Sequence, residues 1–140
     1  MARDLFVDTG AWVALADEDD QYHGRAASVY PGLLRDHQRL VTTNLVLAES
    51  YIILRLALGH AAAMTFLENL RASPRIERAY ITADLEKEAV DILRRYRDQS
   101  FSLTGPTSFA LMQRRDMDVA FAIDAHFAAA GFVCLPGATG

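Results

Sequence analysis

The tightest constraint on this chain is the stretch Leu5-Phe6-Val7-Asp8-Thr9-Gly10-Ala11-Trp12. Three apolar residues suited to a strand stop abruptly at a carboxylate, and Thr9-Gly10 leads into Ala11-Trp12-Val13-Ala14-Leu15-Ala16, which has helical character. A strand turning directly into an apolar helix is the opening unit of an α/β fold. The junction lies just beyond the strand's carboxyl end, where open parallel sheets bind their ligands. Two readings of Asp8 stand side by side: a helix N-cap, which Asp favours, or a site carboxylate.

The chain repeats this alternation. Asp17-Glu18-Asp19-Asp20 reads as a solvated acidic loop, and residues 22–38 have helical spacing, with Pro31-Gly32 predicting a kink or break. Leu40-Val41-Thr42 predicts a very short strand, and Thr43-Asn44 supplies cap-type residues. Residues 44–58 are apolar on nearly every side, which predicts a buried helix. Residues 61–72 predict its hairpin partner, and Ile76 to Ile81 a third strand. A helix then opens at Thr82 or Asp84 and runs to about Arg97. Pro106 suits the start of the next helix, residues 119–123 a buried strand ending at Asp124, and 132–135 a last strand. Strands alternating with helices imply an α/β fold: three layers, α/β/α, around a central, mainly parallel sheet. Residues 1–140 show no linker or internal repeat and read as a single domain of a size that buries a core without staples.

Glu49 falls in the second turn of the apolar helix, on the same stripe as Leu45, Ile52, Ile53 and Leu56. A lone buried carboxylate protonates unless something positive compensates it, so Glu49 is satisfied either by an Arg or backbone donors, or by a metal ion. Asp124 repeats the arrangement at Asp8. If both strands belong to one parallel sheet, Asp8, Asp124 and Glu49 can meet in one cleft. Oxygen-only ligands favour Mg2+ or Mn2+ over zinc, and with substrate phosphates the reaction class is metal-assisted phosphodiester hydrolysis.

Composition narrows the setting. A net charge of −4 argues against a generally basic nucleic-acid coat, while thirteen of the fourteen basic residues are Arg, suited to bidentate phosphate contacts where they cluster. The candidates are Arg94, Arg95 and Arg97 at one predicted helix end, and Arg114 and Arg115 one helix away from Asp124. For each cluster a solvated role competes with phosphate binding. A lone cysteine, Cys134, in an apolar strand suits a reducing cytoplasm, and no apolar run approaches the roughly 20 residues of a membrane span. A cytoplasmic protein is expected. The only lysine, Lys87, sits within a helix, which argues against a phospho-acceptor signalling domain.

Four segments, Phe6 through Trp12, Thr43 through Glu49, Ser102-Leu103-Thr104 through Ser108-Phe109-Ala110, and Phe121-Ala122-Ile123-Asp124-Ala125-His126-Phe127 before Gly131-Phe132, occur in an order and at separations that resemble the PIN domain. The similarity is nearest to small single-domain ribonucleases of the VapC toxin type. It implies a Rossmann-like sheet, a carboxylate quartet binding Mg2+ or Mn2+, endonucleolytic cutting of structured RNA, a homodimer, and inhibition by a small antitoxin. Asp8, Glu49 and Asp124 match three of the four acids. By the same resemblance Thr9 supports the site with its hydroxyl, Asn44 steadies the loop before the Glu49 helix, and Ser108 lies near the cleft.

The family's third acid follows the Ser-Leu-Thr stretch, where this chain has Gly105 and then Pro106. The metal site is one anionic ligand short, which implies weaker metal affinity. Substitute carboxylates are available in Asp98, Asp116 or Asp118, each of which is also a simple loop or cap acid; Thr104 and Thr107 offer hydroxyls. The alternative is a PIN domain that keeps only an RNA- or protein-binding role. Trp12 reads as core, and His126 as a helix-surface residue.

Overall fold

The computed structural model describes residues 4–137. Five short strands, β1 (Leu5–Val7), β2 (Leu40–Thr43), β3 (Ile76–Ala79), β4 (Val119–Phe121) and β5 (Val133–Leu135), form one sheet in the order β3-β2-β1-β4-β5. Every neighbouring pair is parallel. The helices are α1 (Thr9–Ala16), α2 (His23–Asp36), α3 (Asn44–Leu58), α4 (His60–Ala72), α5 (Ala83–Arg95), α6 (Thr104–Arg114) and α7 (His126–Ala129). The expected three-layer α/β/α fold is what the chain adopts. Parallel sheets are covered on both faces, and β1 and β2 are accordingly buried at every residue.

The order of strands sets the site. From β1 the chain builds outward through β2 and β3, then returns to lay β4 and β5 on the other side of β1. The reversal falls between β1 and β4, and a crevice opens beyond their carboxyl ends. Trp12, in the second turn of α1, is buried and tied to this edge. Its Nε1 donates to Thr42 Oγ1 over 3.2 Å, and that hydroxyl donates to the Val7 carbonyl over 3.0 Å.

Several elements differ from the sequence expectation. Pro31 does not break α2, which runs uninterrupted through it. Pro31 is exposed, so water can serve the carbonyl it orphans, while buried Ala26 and Leu33 hold the opposite face. The helix α6 starts at Thr104, with Pro106 still in the first turn, where its missing N–H costs nothing. β4 ends at Phe121, so Asp124 stands on the connection that follows it and not at the strand's tip.

The largest correction concerns α3. Its buried side is Val46, Leu47, Ser50 and Leu54, whereas Ile52, Ile53 and Leu56 are 46%, 40% and 81% exposed. One side of the helix packs on α4, α1 and the sheet; on the stripe containing Glu49, Ile52, Ile53 and Leu56 face outward while Leu45 and Glu49 are half-buried. Glu49 is half-buried, so the desolvation argument for it as the most anomalous charge does not hold.

Candidate active site

Asp8 occupies the N-cap position of α1 by backbone geometry, and its carbonyl accepts the first helical bond, from Trp12 N, over 3.2 Å. Its side chain makes no capping hydrogen bond. The carboxyl is only 7% exposed, and burial pushes its pKa from 3.8 up to about 7. The backbone N–H of Thr9 pulls the other way, and the charges of Asp124 and Glu49 raise it further. An acid kept at the end of a buried strand, without a cap bond and with two acids for neighbours, does not have the environment of a structural cap. Beside it the Thr9 hydroxyl is buried and lacks a hydrogen-bond partner. A lone hydroxyl is an uncompensated cost in an apo fold and a donor available to a ligand.

The other two acids are held from one connection. Glu49 Oε2 accepts a hydrogen bond of 3.3 Å from the Ser102 hydroxyl. Asp124 Oδ1 accepts from the His126 backbone N–H at 2.7 Å, and His126 Nδ1 lies 3.1 Å from the same oxygen. The His126 ring stands edge-on to Phe101, centroids 4.7 Å apart, and Phe101 packs in turn on Phe109 and Tyr96 at 5.6 and 5.9 Å. Phe101 and Ser102 are adjacent, so residues 96–103 brace Asp124 through His126 and Glu49 through Ser102. Sequence reasoning passed over both contacts. The Asp-x-His spacing before a short helix is the one local signal for the first, since such an Asp bonds the backbone two residues on. Nothing local signals the second, which joins residues 53 positions apart.

The supporting residues fall into place unevenly. Asn44 Oδ1 accepts from Ile81 N over 2.9 Å, so it anchors the connection after β3 to the start of α3. The cap of α3 is Thr43, whose hydroxyl accepts from Val46 N. Ser108 is fully buried and donates to the Thr104 carbonyl at 2.9 Å, as Thr107 does at 2.7 Å. Those two hydroxyls serve the first turn of α6. Thr104 is itself buried beside Gly105. A Cβ added at Gly105 would meet nothing closer than Phe109 Cζ, at 3.8 Å. The position tolerates a Cβ.

Two of the three substitutes for that acid lie far from Asp8. Asp116 and Asp118 lie between the end of α6 and the start of β4, at the amino edge of the sheet, across the molecule from Asp8. Asp98 is exposed, on the connection that carries Ser102. The arginines divide in the same way. Arg114 is paired with Glu88, and Arg115 with Glu77 at 2.6 Å, beside the amino edge, which removes both as phosphate contacts for this site. Arg94, Arg95 and Arg97 are exposed and flank Tyr96, which joins the site through Phe101; Arg94 makes an exposed pair with Asp91.

The donor set suits a hard divalent cation: carboxylate and hydroxyl oxygens, one carboxyl that is only part-ionised at neutral pH without a compensating charge, and a hydroxyl without a partner among the described residues. It is not a preassembled cage. Among the described residues no three His, Cys, Asp or Glu side chains converge closely enough to hold a metal ion. That openness agrees with a quartet short of one member.

Comparison with known proteins settles the family. The PIN domain model matches residues 5–133. The chain belongs to the PIN domain family. A 23S rRNA-specific endonuclease, VapC20, from two strains of Mycobacterium tuberculosis is 36% identical over 129 residues, covering 92% of this chain and 95% of the relative. The crystal structure of Mycobacterium tuberculosis VapC20, described as a Sarcin-Ricin loop cleaving toxin, superposes with a TM-score of 0.85 at 35% identity. That match covers 92% of this chain and 96% of the other. No helix among the described residues of this PIN domain is long and apolar enough to cross a membrane.

Proposed function

We propose that this PIN domain is a metal-dependent endoribonuclease acting on structured RNA, the toxin of a toxin–antitoxin pair. The observation that carries the reading is Asp8: a buried, uncapped carboxyl at the topological switch point, pushed up to about 7 with Glu49 and Asp124 as its charged neighbours. The similarity to VapC20 over nearly the whole chain supports the substrate class, and 23S rRNA fragments are the first substrates to try. Asp8, Glu49 and Asp124 would hold Mg2+ or Mn2+, with Thr9 beside them. When bound, such an ion supplies Lewis-acid stabilisation of the charge that builds on the phosphoryl oxygens during in-line displacement.

The protein's own groups do the rest. In the metal-free chain Asp8 holds a proton up to about neutrality, and it serves as an oxygen ligand once that proton is given up. His126 fixes Oδ1 of Asp124, leaving Oδ2 for the reacting centre, and Ser102 restrains the Glu49 carboxylate. The exposed Arg94, Arg95 and Arg97 flank the aromatic brace and steer phosphates toward it. Residues 1–140 act as one PIN unit. A small antitoxin as inhibitor follows from the relative's toxin type, and the outward stripe Ile52, Ile53 and Leu56 of α3 supports association of two copies. A cytoplasmic site of action is part of the same reading.

Gly105 favours a second reading, in which the domain binds RNA or protein without cutting. The test is cleavage of 23S rRNA fragments and tRNA in Mn2+ against EDTA, with this chain and Gly105→Asp side by side. Cleavage by both supports the enzyme; cleavage by Gly105→Asp alone means that the chain is a binder on a nuclease scaffold. Cleavage by neither, without Mn2+ binding, defeats the proposal.

A further inference from the structure

The flank of β3, from the end of α4 that feeds it to the carboxyl edge, carries polar groups that the acids do not use. Arg78, on β3, has a buried Nε with no hydrogen-bond partner, and its guanidinium lies 5.6 Å from the centroid of the Tyr80 ring. Tyr80 follows the end of β3 and is 64% exposed. Arg71, in the last turn of α4, is exposed as well. Neither arginine has a carboxylate partner among the described residues. Both line a depression of about 220 Å3 with Tyr80, walled by Leu47, Leu70 and Ile76. Leu47, Arg78 and Tyr80 also line a larger groove of about 450 Å3 that reaches Asn44. Asn44 begins α3 directly after β2, so the groove opens on the same edge as Asp8. β3 is two strands from β1, roughly 10 Å at ordinary strand spacing.

Two unpaired guanidinium groups in a protein of net charge −4 mark a place for an anion. The exposed ring adds a second requirement. Arg78 lies over Tyr80 and stiffens it while the ring remains accessible, and a flat aromatic beside arginine forks is the arrangement that receives an unstacked base with its phosphate. An acidic peptide satisfies the arginines and leaves the ring without a role.

We propose that Tyr80, Arg78 and Arg71 form a subsite for a single-stranded nucleotide of the RNA flanking the scissile bond. An unstacked base lies on Tyr80 and the adjoining phosphate between the two arginines. The subsite rests on the nuclease reading, and it confers a preference for looped over fully paired RNA.

The test is equilibrium binding of the full chain in EDTA, so that affinity is read apart from cleavage. The probes are an RNA hairpin with a single-stranded loop and a blunt duplex of the same stem. Tyr80→Ala is expected to weaken hairpin binding about tenfold and to leave duplex binding unchanged, whereas Tyr80→Phe, which keeps the stacking face, stays within about twofold. Arg71→Gln is expected to weaken the hairpin and lower the slope of log affinity against log salt by about 0.7, the loss of one phosphate contact. Both side chains are exposed, so neither change threatens the fold, and Arg78→Gln adds a third reading of the slope. Hairpin binding and salt slope unchanged in Tyr80→Ala and Arg71→Gln would overturn the subsite. An equal loss on the duplex, or stronger competition by a poly-glutamate peptide than by single-stranded RNA, would do the same. If the unmodified chain cuts RNA in Mn2+ while the variants bind normally, the subsite alone fails. If it neither binds nor cuts RNA, the nuclease reading fails first.

Discussion

The two edges of the same sheet treat carboxylates in opposite ways. At the amino edge Glu77 sits between Arg115 and Arg39, which also pairs with Asp4 at 2.9 Å, and the Arg115 hydrogen bond holds the Glu77 carboxyl below its usual range. At the carboxyl edge Asp8 makes no ion pair among the described residues, has two acids for neighbours, and is pushed up to about 7. Both acids adjoin short parallel strands. What separates them is the neighbour's sign. Where the fold itself neutralises a carboxylate the role is architectural, and where it leaves one buried beside its like the carboxyl keeps its proton up to about neutrality unless a cation compensates it.

The sharpest way to break this contrast is to neutralise Asp8. Asp8→Asn is expected to reduce Mn2+-dependent RNA cleavage by more than about a hundredfold, read as initial rates on a 23S rRNA fragment. Cleavage at the unmodified rate would leave the carboxyl edge no more chemical than the amino edge.

The same substitution carries a stability signature. In the folded chain Asp8 protonates at about 7, against 3.8 as its ordinary value. The folded state therefore binds the extra proton between these values, and metal-free stability falls as pH rises through that window, by up to about 4 kcal/mol. Asp8→Asn should flatten the slope and be the more stable protein above pH 7, and Mn2+ should restore stability to the unmodified chain. Urea unfolding at a series of pH values measures all three. A profile that rises with pH in both proteins contradicts the burial argument.

A smaller effect separates bracing from binding. His126→Ala should weaken Mn2+ affinity by roughly tenfold by calorimetry, the usual size for a group that orients a ligand. His126→Asn, whose amide can replace Nδ1, should recover most of it. Equal affinities in all three proteins would show that the contact to Asp124 is incidental.

The smallest effect belongs to the amino edge. Glu77→Gln should cost at most about 1 kcal/mol, because the pairs are partly exposed, and leave cleavage untouched. Its sign is the reverse of that at Asp8. A carboxyl held below its ordinary range adds stability above the unfolded pKa and loses it as pH falls through the folded one. A drop in cleavage with Glu77→Gln would erase the distinction between the edges.

How much of this was legible in the chain follows from the range of each interaction. The alternation of strands and helices, and the acids at Asp8 and Asp124, could be read because strand, turn and cap signals lie within a few residues. The strand order could not, since residues 5–7 do not encode that β4 and β2 will flank them. For α3, apolar residues all round predicted burial all round, but composition does not reveal how many sides a neighbour will cover, and Leu56 is left 81% exposed. Arg114 and Arg115 looked available because their partners, Glu88 and Glu77, are 26 and 38 positions away. Nothing near Ser102 in the chain signals its contact, since its partner Glu49 is 53 positions away and reaches it only once α3 is in place.

Trp12 is the one tryptophan in the chain. Its indole reaches Val7, the residue before Asp8, through a single hydroxyl, and its amide closes the first turn on the Asp8 carbonyl. The protein thus has an intrinsic fluorophore joined to the strand end that carries its buried carboxyl, which offers an optical, label-free way to follow events at that acid.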